Sequence, residues 1–70
     1  MNPHSVLLIA NPRTRQYWVE IHADGTQVAP DMDARTLRVA REVAARECRR
    51  LGLCSYEERR LVKVVGGVCR

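Results

Sequence analysis

The stretch QYWVEIHADG, residues 16–25, decides the fold of this 70-residue chain. Its apolar and polar side chains alternate with a period of two, which is typical of a β-strand with one buried face. One face carries Tyr17, Val19, Ile21 and Ala23, and the other carries Trp18, Glu20 and His22. We therefore predict a strand over residues 16–23 and a turn at Asp24-Gly25.

The segments on either side of this strand predict further strands. SVLLIA, residues 5–10, is a short apolar run that ends at Asn11-Pro12, and it predicts a strand. The segment NPRTR, residues 11–15, is short enough to join the two strands as a hairpin, with Arg13 and Arg15 at its tip. The segment TQV, residues 26–28, adds a brief third strand after the turn.

A helix follows, with Asp31 or Asp33 as its expected N-cap. Its apolar positions recur at helical spacing and form one stripe, made of Leu37, Ala40, Ala44, Cys48 and Leu51. We expect the helix to end at Leu51, because Gly52 suits the left-handed conformation that follows a helix. The β-branched run RRLVKVV, residues 59–65, predicts the last strand.

Together these elements predict a single α+β domain over residues 1–70. Its sheet has three or four mainly antiparallel strands in the order ββαβ, with one helix on one face. The sheet face with Trp18 and His22 then has no predicted element to cover it. Because Trp is enriched in binding hot spots, this face is a candidate interface.

Charge and cysteine content narrow the class of protein. The net charge is +4, and the basic residues are concentrated after residue 34. Such asymmetry favours contact with phosphates or with an acidic protein surface. The sequence has no apolar run long enough to cross a membrane and no signal peptide, so we expect a cytoplasmic protein. The three cysteines have neither disulfide nor zinc spacing, and we predict no metal and no cofactor.

The predicted helix supplies the main candidate contacts. Its side opposite the apolar stripe carries Arg35, Arg38, Arg46, Arg49 and Arg50. Val39 lies among these arginines, as in a small apolar contact with a charged rim. The alternative is a merely solvated face, because Glu42 lies four residues from Arg38 and from Arg46, and Glu47 lies three before Arg50.

We do not expect an enzyme. The chain lacks the P-loop, HExxH and GxSxG motifs, and neither histidine has a partner in sequence that suggests activation. A domain of this size also has little room for a large pocket. We therefore also assign the alternative contacts to binding. These are Trp18 and His22 on the sheet face and Arg13 and Arg15 in the hairpin.

The order of these features resembles that of short phage-borne anti-CRISPR proteins that inhibit type I effector complexes. The matching positions are Pro12-Arg13, Tyr17, Val19, Asp24-Gly25 and Val28, then an alanine-rich helix ending at Gly52 and a valine-rich strand. The resemblance implies a non-catalytic inhibitor that acts in the host cytoplasm. Many such inhibitors imitate DNA with an acidic surface, whereas the helical half here is basic, so we expect direct blocking of a protein surface or of a nucleic-acid path.

Three alternatives remain open. The stretch QYWVEIHADG is also similar to the opening hairpin of HicB-type antitoxins. A small basic regulator that binds nucleic acid directly would explain the arginines, although no recognised nucleic-acid-binding motif is present. The open sheet face could instead form a homodimer, since small domains often gain burial by association.

Overall fold

Two long antiparallel strands, β1 (His4–Asn11) and β2 (Gln16–Ala23), form the centre of the fold. The structure is a computed structural model, and it describes residues 2–61. The register pairs Val6 with Ile21 and Leu8 with Val19. These bounds confirm the strand predicted over residues 16–23 and extend the first predicted strand by one residue at each end.

Two short strands continue the sheet beyond β2. Asp24 and Gly25 have φ angles of 53° and 82°, the left-handed values that a two-residue hairpin turn requires. The turn leads into β3 (Thr26–Gln27), which pairs with the end of β2. After a loop, β4 (Met32–Ala34) pairs with β2 as well, and Asp33 lies opposite Trp18.

The helix α1 spans Leu37–Leu51, and its N-cap is Thr36. The Thr36 hydroxyl accepts a hydrogen bond from the Val39 amide at 3.1 Å. The prediction of Asp31 or Asp33 as the cap is wrong, because Asp33 belongs to β4 and Asp31 accepts a hydrogen bond from Gln27. The predicted end of the helix is confirmed. Within residues 2–61, no helix has the length and apolar character needed to cross a membrane.

The last described strand, β5 (Glu57–Arg60), pairs with β1 in parallel. The strand predicted over residues 59–65 overlaps β5 only at residues 59–60, and residues 62–65 lie outside the described residues. The sheet order is β3-β2-β1-β5, with β4 also on β2. The predicted α+β class, with one helix on a mainly antiparallel sheet, is confirmed. Within residues 2–61 the sheet has five strands, against the three or four predicted, and one strand pair is parallel.

The helix packs against one face of the central strands. Leu8 and Val19 are fully buried in the sheet, and Ala40 and Ala44 are fully buried on the helix. Small alanine side chains let the helix axis approach the larger residues of the sheet closely. Leu37 and Leu51 complete the predicted apolar stripe at the edge of this core. The opposite side of the helix is thereby turned to the outside.

Candidate functional site

The outer side of α1 presents four of the five arginines that the spacing predicted. We define the basic face as Arg38, Val39, Arg46, Arg49 and Arg50. At 3.6 residues per turn these positions fall within an arc of about 120°. All five are exposed, and Val39 retains 40% of its accessible surface. The N-cap and the core contacts fix the helix backbone, so the basic face is held on a rigid element.

Acidic neighbours neutralise the basic face only in part. Arg38 lies 3.8 Å from Glu42, but both side chains are largely exposed, at 89% and 66%. Exposed pairs of this kind are weak because water screens them. Arg49 forms no ion pair within residues 2–61. The prediction that Arg35 lies on the helix face is wrong, because the helix begins at Leu37; Arg35 is exposed in the segment before the cap.

Glu47 pairs with two arginines at the edge of the basic face. Its carboxylate lies 2.6 Å from Arg50 Nη2 and 3.5 Å from Arg46 Nε. The predicted pairing of Arg50 with Glu47 is confirmed, whereas Arg46 pairs with Glu47 and not with Glu42. The burial of Glu47, only 6% exposed, is not evident from sequence. A buried carboxylate needs charged or hydrogen-bonding partners, and these two arginines supply them.

Arg41 lies outside the basic face, on the edge of α1 that contacts β5. Its Nε and Nη2 atoms donate to the two carboxylate oxygens of Glu58, at 3.0 and 3.1 Å. The hydrogen bonds from Arg41 hold the pKa of Glu58 below its usual value and raise the pKa of Arg41. This bidentate ion pair links α1 to β5. Sequence reasoning missed it, because the two residues are distant in the chain.

The other predicted surface is the Trp18 face, which we define as the sheet face with Trp18, Glu20 and His22. Trp18 Nε1 donates to Glu20 Oε2 at 2.8 Å, and His22 Nε2 lies 2.8 Å from Glu20 Oε1. Both hydrogen bonds lower the pKa of Glu20, and the one from Trp18 has the larger effect. The prediction that Trp18 and His22 share a face is therefore confirmed. Trp18 Nε1 and His22 Nε2 are engaged with Glu20, so the expectation that neither histidine has an acidic or basic partner is wrong for His22.

Apolar side chains flank this network on β1. Leu7 pairs with Glu20, and Ile9 pairs with Trp18. Paired residues in a sheet project to the same side, so Leu7 and Ile9 belong to the Trp18 face. Both are buried, at 8% and 6% exposure. The Trp18 face thus combines a buried aliphatic pair on β1 with a half-buried polar network on β2.

One arginine of the hairpin tip, Arg15, lies beside Trp18 and not on the basic face. Arg13 and Arg15 are exposed in the turn after β1, and Arg15 has a φ of 56°. Arg15 lines an open cavity of about 270 Å³ together with Trp18, Asp31 and Asp33. Arg15 and Trp18, one member of each predicted contact group, therefore line one surface of mixed charge.

Metal-ligating side chains and cysteines are the remaining groups of chemical interest in the part of the chain that the structure describes. Within residues 2–61, no group of three or more His, Cys, Asp or Glu side chains is placed to hold a metal ion. Cys48 lies in the core, where burial raises the pKa of its thiol and so disfavours the reactive thiolate. Comparison with protein families, curated proteins and solved structures finds no match to this chain.

Proposed function

We propose that this protein is a non-catalytic binding protein that uses the basic face to occlude an acidic surface of a larger, nucleic-acid-handling assembly in the cytoplasm. The observation that carries the proposal is the row of exposed arginines on one rigid helix, with the exposed Val39 near its N-terminal end. Arginine is enriched in binding hot spots, and the exposed Val39 adds apolar contact area to the same surface.

Preorganisation supports the same conclusion. The helix that carries the basic face is capped at Thr36 and packed on the sheet through Ala40 and Ala44. A partner therefore does not have to order the backbone, which lowers the entropic cost of association. Positive charge on the same surface also steers an acidic partner and speeds its encounter.

The resemblance to phage-borne anti-CRISPR proteins gives this proposal a specific form. The assembly would be a type I CRISPR effector complex, and the protein would block it by binding to a protein surface. A basic binding face suits an acidic subunit surface and does not imitate DNA. The effector complex would then fail to engage its target duplex.

The test compares charge reversal on and off the basic face. We expect the wild-type protein to inhibit target-duplex binding by at least one of a panel of purified type I effector complexes. The variant R46E/R49E loses inhibition, because both substitutions place carboxylates against an acidic surface. The matched control R13E/R15E changes the charge equally at the hairpin tip and retains inhibition.

Two results would count against the proposal. Loss of inhibition in R13E/R15E with full activity in R46E/R49E would place the interface on the Trp18 face. Failure to inhibit any complex of the panel would reject effector blocking. Light scattering over a range of concentrations would show in parallel whether the protein associates with itself through the Trp18 face.

A second candidate function is direct binding of nucleic acid. The four arginines of the basic face lie along one helix, an arrangement that suits contact with successive phosphates. Four phosphate contacts give a slope of about −3 to −4 in a plot of log K against log salt concentration. Fluorescence anisotropy with duplex DNA and RNA measures this slope, and no binding at low salt would reject this function.

A further inference from the structure

A second cavity lies where α1 ends, next to the basic face. Its volume is about 280 Å³, and its walls include Ala45, Cys48, Arg49, Leu53, Cys54 and Tyr56. Small-molecule pockets have volumes of about 300–1,000 Å³. This cavity is slightly smaller than that range and is open to the outside, so its dimensions suit one side chain better than a whole ligand.

The backbone around this cavity is fixed. Gly52 adopts a left-handed φ of 75° and turns the chain back on the helix. The Leu53 amide donates to the Cys48 carbonyl at 2.8 Å, which closes the turn. Leu53 and Tyr56 then pack against the edge of the core. The cavity is therefore preformed, and its walls include aliphatic and aromatic surface.

Arg49 belongs to both the cavity and the basic face. It lines the cavity, is exposed, and makes no ion pair within residues 2–61. A carboxylate next to an apolar group in the cavity would meet this guanidinium directly. The positive charge of Arg49 at the rim favours a carboxylate, and the apolar walls favour an apolar side chain. Both features therefore favour an acidic segment that contains an apolar residue.

We propose that the cavity receives an apolar side chain of a partner protein, in a segment whose flanking carboxylates pair with Arg49 and Arg46. The inference rests on the proposed function and defines its partner as an acidic protein segment with one apolar anchor. A nucleic-acid duplex offers phosphates to the arginines but keeps the apolar surfaces of its bases stacked inside. The cavity therefore favours a protein partner over a duplex.

The test uses two synthetic acidic peptides of Asp and Glu that differ only at the central position, Leu in one and Ser in the other. Amide chemical shifts of the full-length protein are followed by NMR during titration. We expect the Leu peptide to bind about tenfold more tightly, from partial burial of its side chain. Its largest shifts fall at Leu53, Cys54 and Tyr56.

Filling the cavity provides the control. Ala45→Leu places a larger side chain in the cavity and removes the preference for the Leu peptide, whereas Ala45→Ser preserves it. If Ala45→Leu disturbs the fold, alkylation of the exposed Cys54 in a Cys69→Ser background blocks the same cavity. The buried Cys48 thiol reacts slowly because burial raises its pKa.

Equal affinities for the two peptides would overturn the apolar anchor and leave the proposed function intact. Absence of binding by both peptides, together with salt-dependent binding of a duplex, would overturn the protein partner as well. Retained preference for the Leu peptide after the cavity is filled would place the anchor elsewhere and reject the site.

Discussion

Replacement of Thr36 by Ala tests the start of the helix that carries the basic face. The Thr36 hydroxyl satisfies the Val39 amide at 3.1 Å, one of the first amides of a helix that lack an intrahelical acceptor. Loss of such a cap costs about 1 kcal/mol. For a domain of this size, 1 kcal/mol corresponds to a decrease of about 7 °C in the melting temperature.

Thermal unfolding followed by circular dichroism at the helix band measures this decrease. Thr36→Ser is the matched control, because it retains the acceptor oxygen and is expected to melt close to the wild type. Asp33→Ala tests the alternative cap and is expected to change stability by less than about 0.5 kcal/mol, since Asp33 is exposed on β4. A large decrease for Asp33→Ala with none for Thr36→Ala would refute the assignment of the cap.

Three further predictions follow from the core, the Trp18 face and the buried glutamate. Leu8→Ala empties a fully buried position on the central strand, so we expect a loss of about 2–5 kcal/mol in denaturant unfolding; an equal loss for the exposed Val39→Ala would contradict this view of the core. The pKa of Glu20 is lower in the folded protein than the ordinary value of 4.5. The ionised carboxylate therefore stabilises the fold above pH 4.5, and this stabilisation is lost as the pH falls through the lower folded pKa. The fluorescence of Trp18, the single tryptophan, is expected to titrate with Glu20 below that value and to lose the transition in Glu20→Gln; an unchanged titration in the variant would refute the link. Glu47→Gln removes the charge that pairs with Arg46 and Arg50, so we expect tighter binding to an acidic partner together with a lower melting temperature; weaker binding by the folded variant would show that Glu47 positions these arginines for the partner.

The sequence correctly predicted the elements that are determined by interactions between residues close in the chain. The alternation in residues 16–23 fixes β2, because a one-residue shift would expose Val19 and Ile21 and bury Glu20. The Asp24-Gly25 pair predicts its turn because both residues must adopt positive φ angles. The apolar stripe of the helix is likewise evident from sequence, since helical geometry alone sets its spacing.

Long-range pairing determined what the sequence could not show. Thr36 and Asp33 are both competent caps, and the pairing of β4 with β2 decides between them. The residues of β5 are all charged, and the sequence predicted only the last two of them, as the start of the β-branched run over residues 59–65. Their strand exists because β1 offers a free edge for pairing.

The candidate site shows the same division. The arginines of the basic face follow from helical spacing, whereas the ion pair between Arg41 and Glu58 depends on a strand distant in sequence. The burial of Glu47 depends on how the helix sits on the sheet. The cavity beside Arg49 arises from the chain reversal at Gly52, whose packing the sequence does not specify.

The parallel pairing of β5 with β1 has a consequence for the folding pathway. The β1–β2 hairpin connects neighbouring residues and can close early, whereas β5 must wait until α1 has crossed the sheet. High sequence separation between contacting residues slows folding. We therefore expect β5 to dock last and to open first, so that its amide protons exchange with solvent faster than those between β1 and β2.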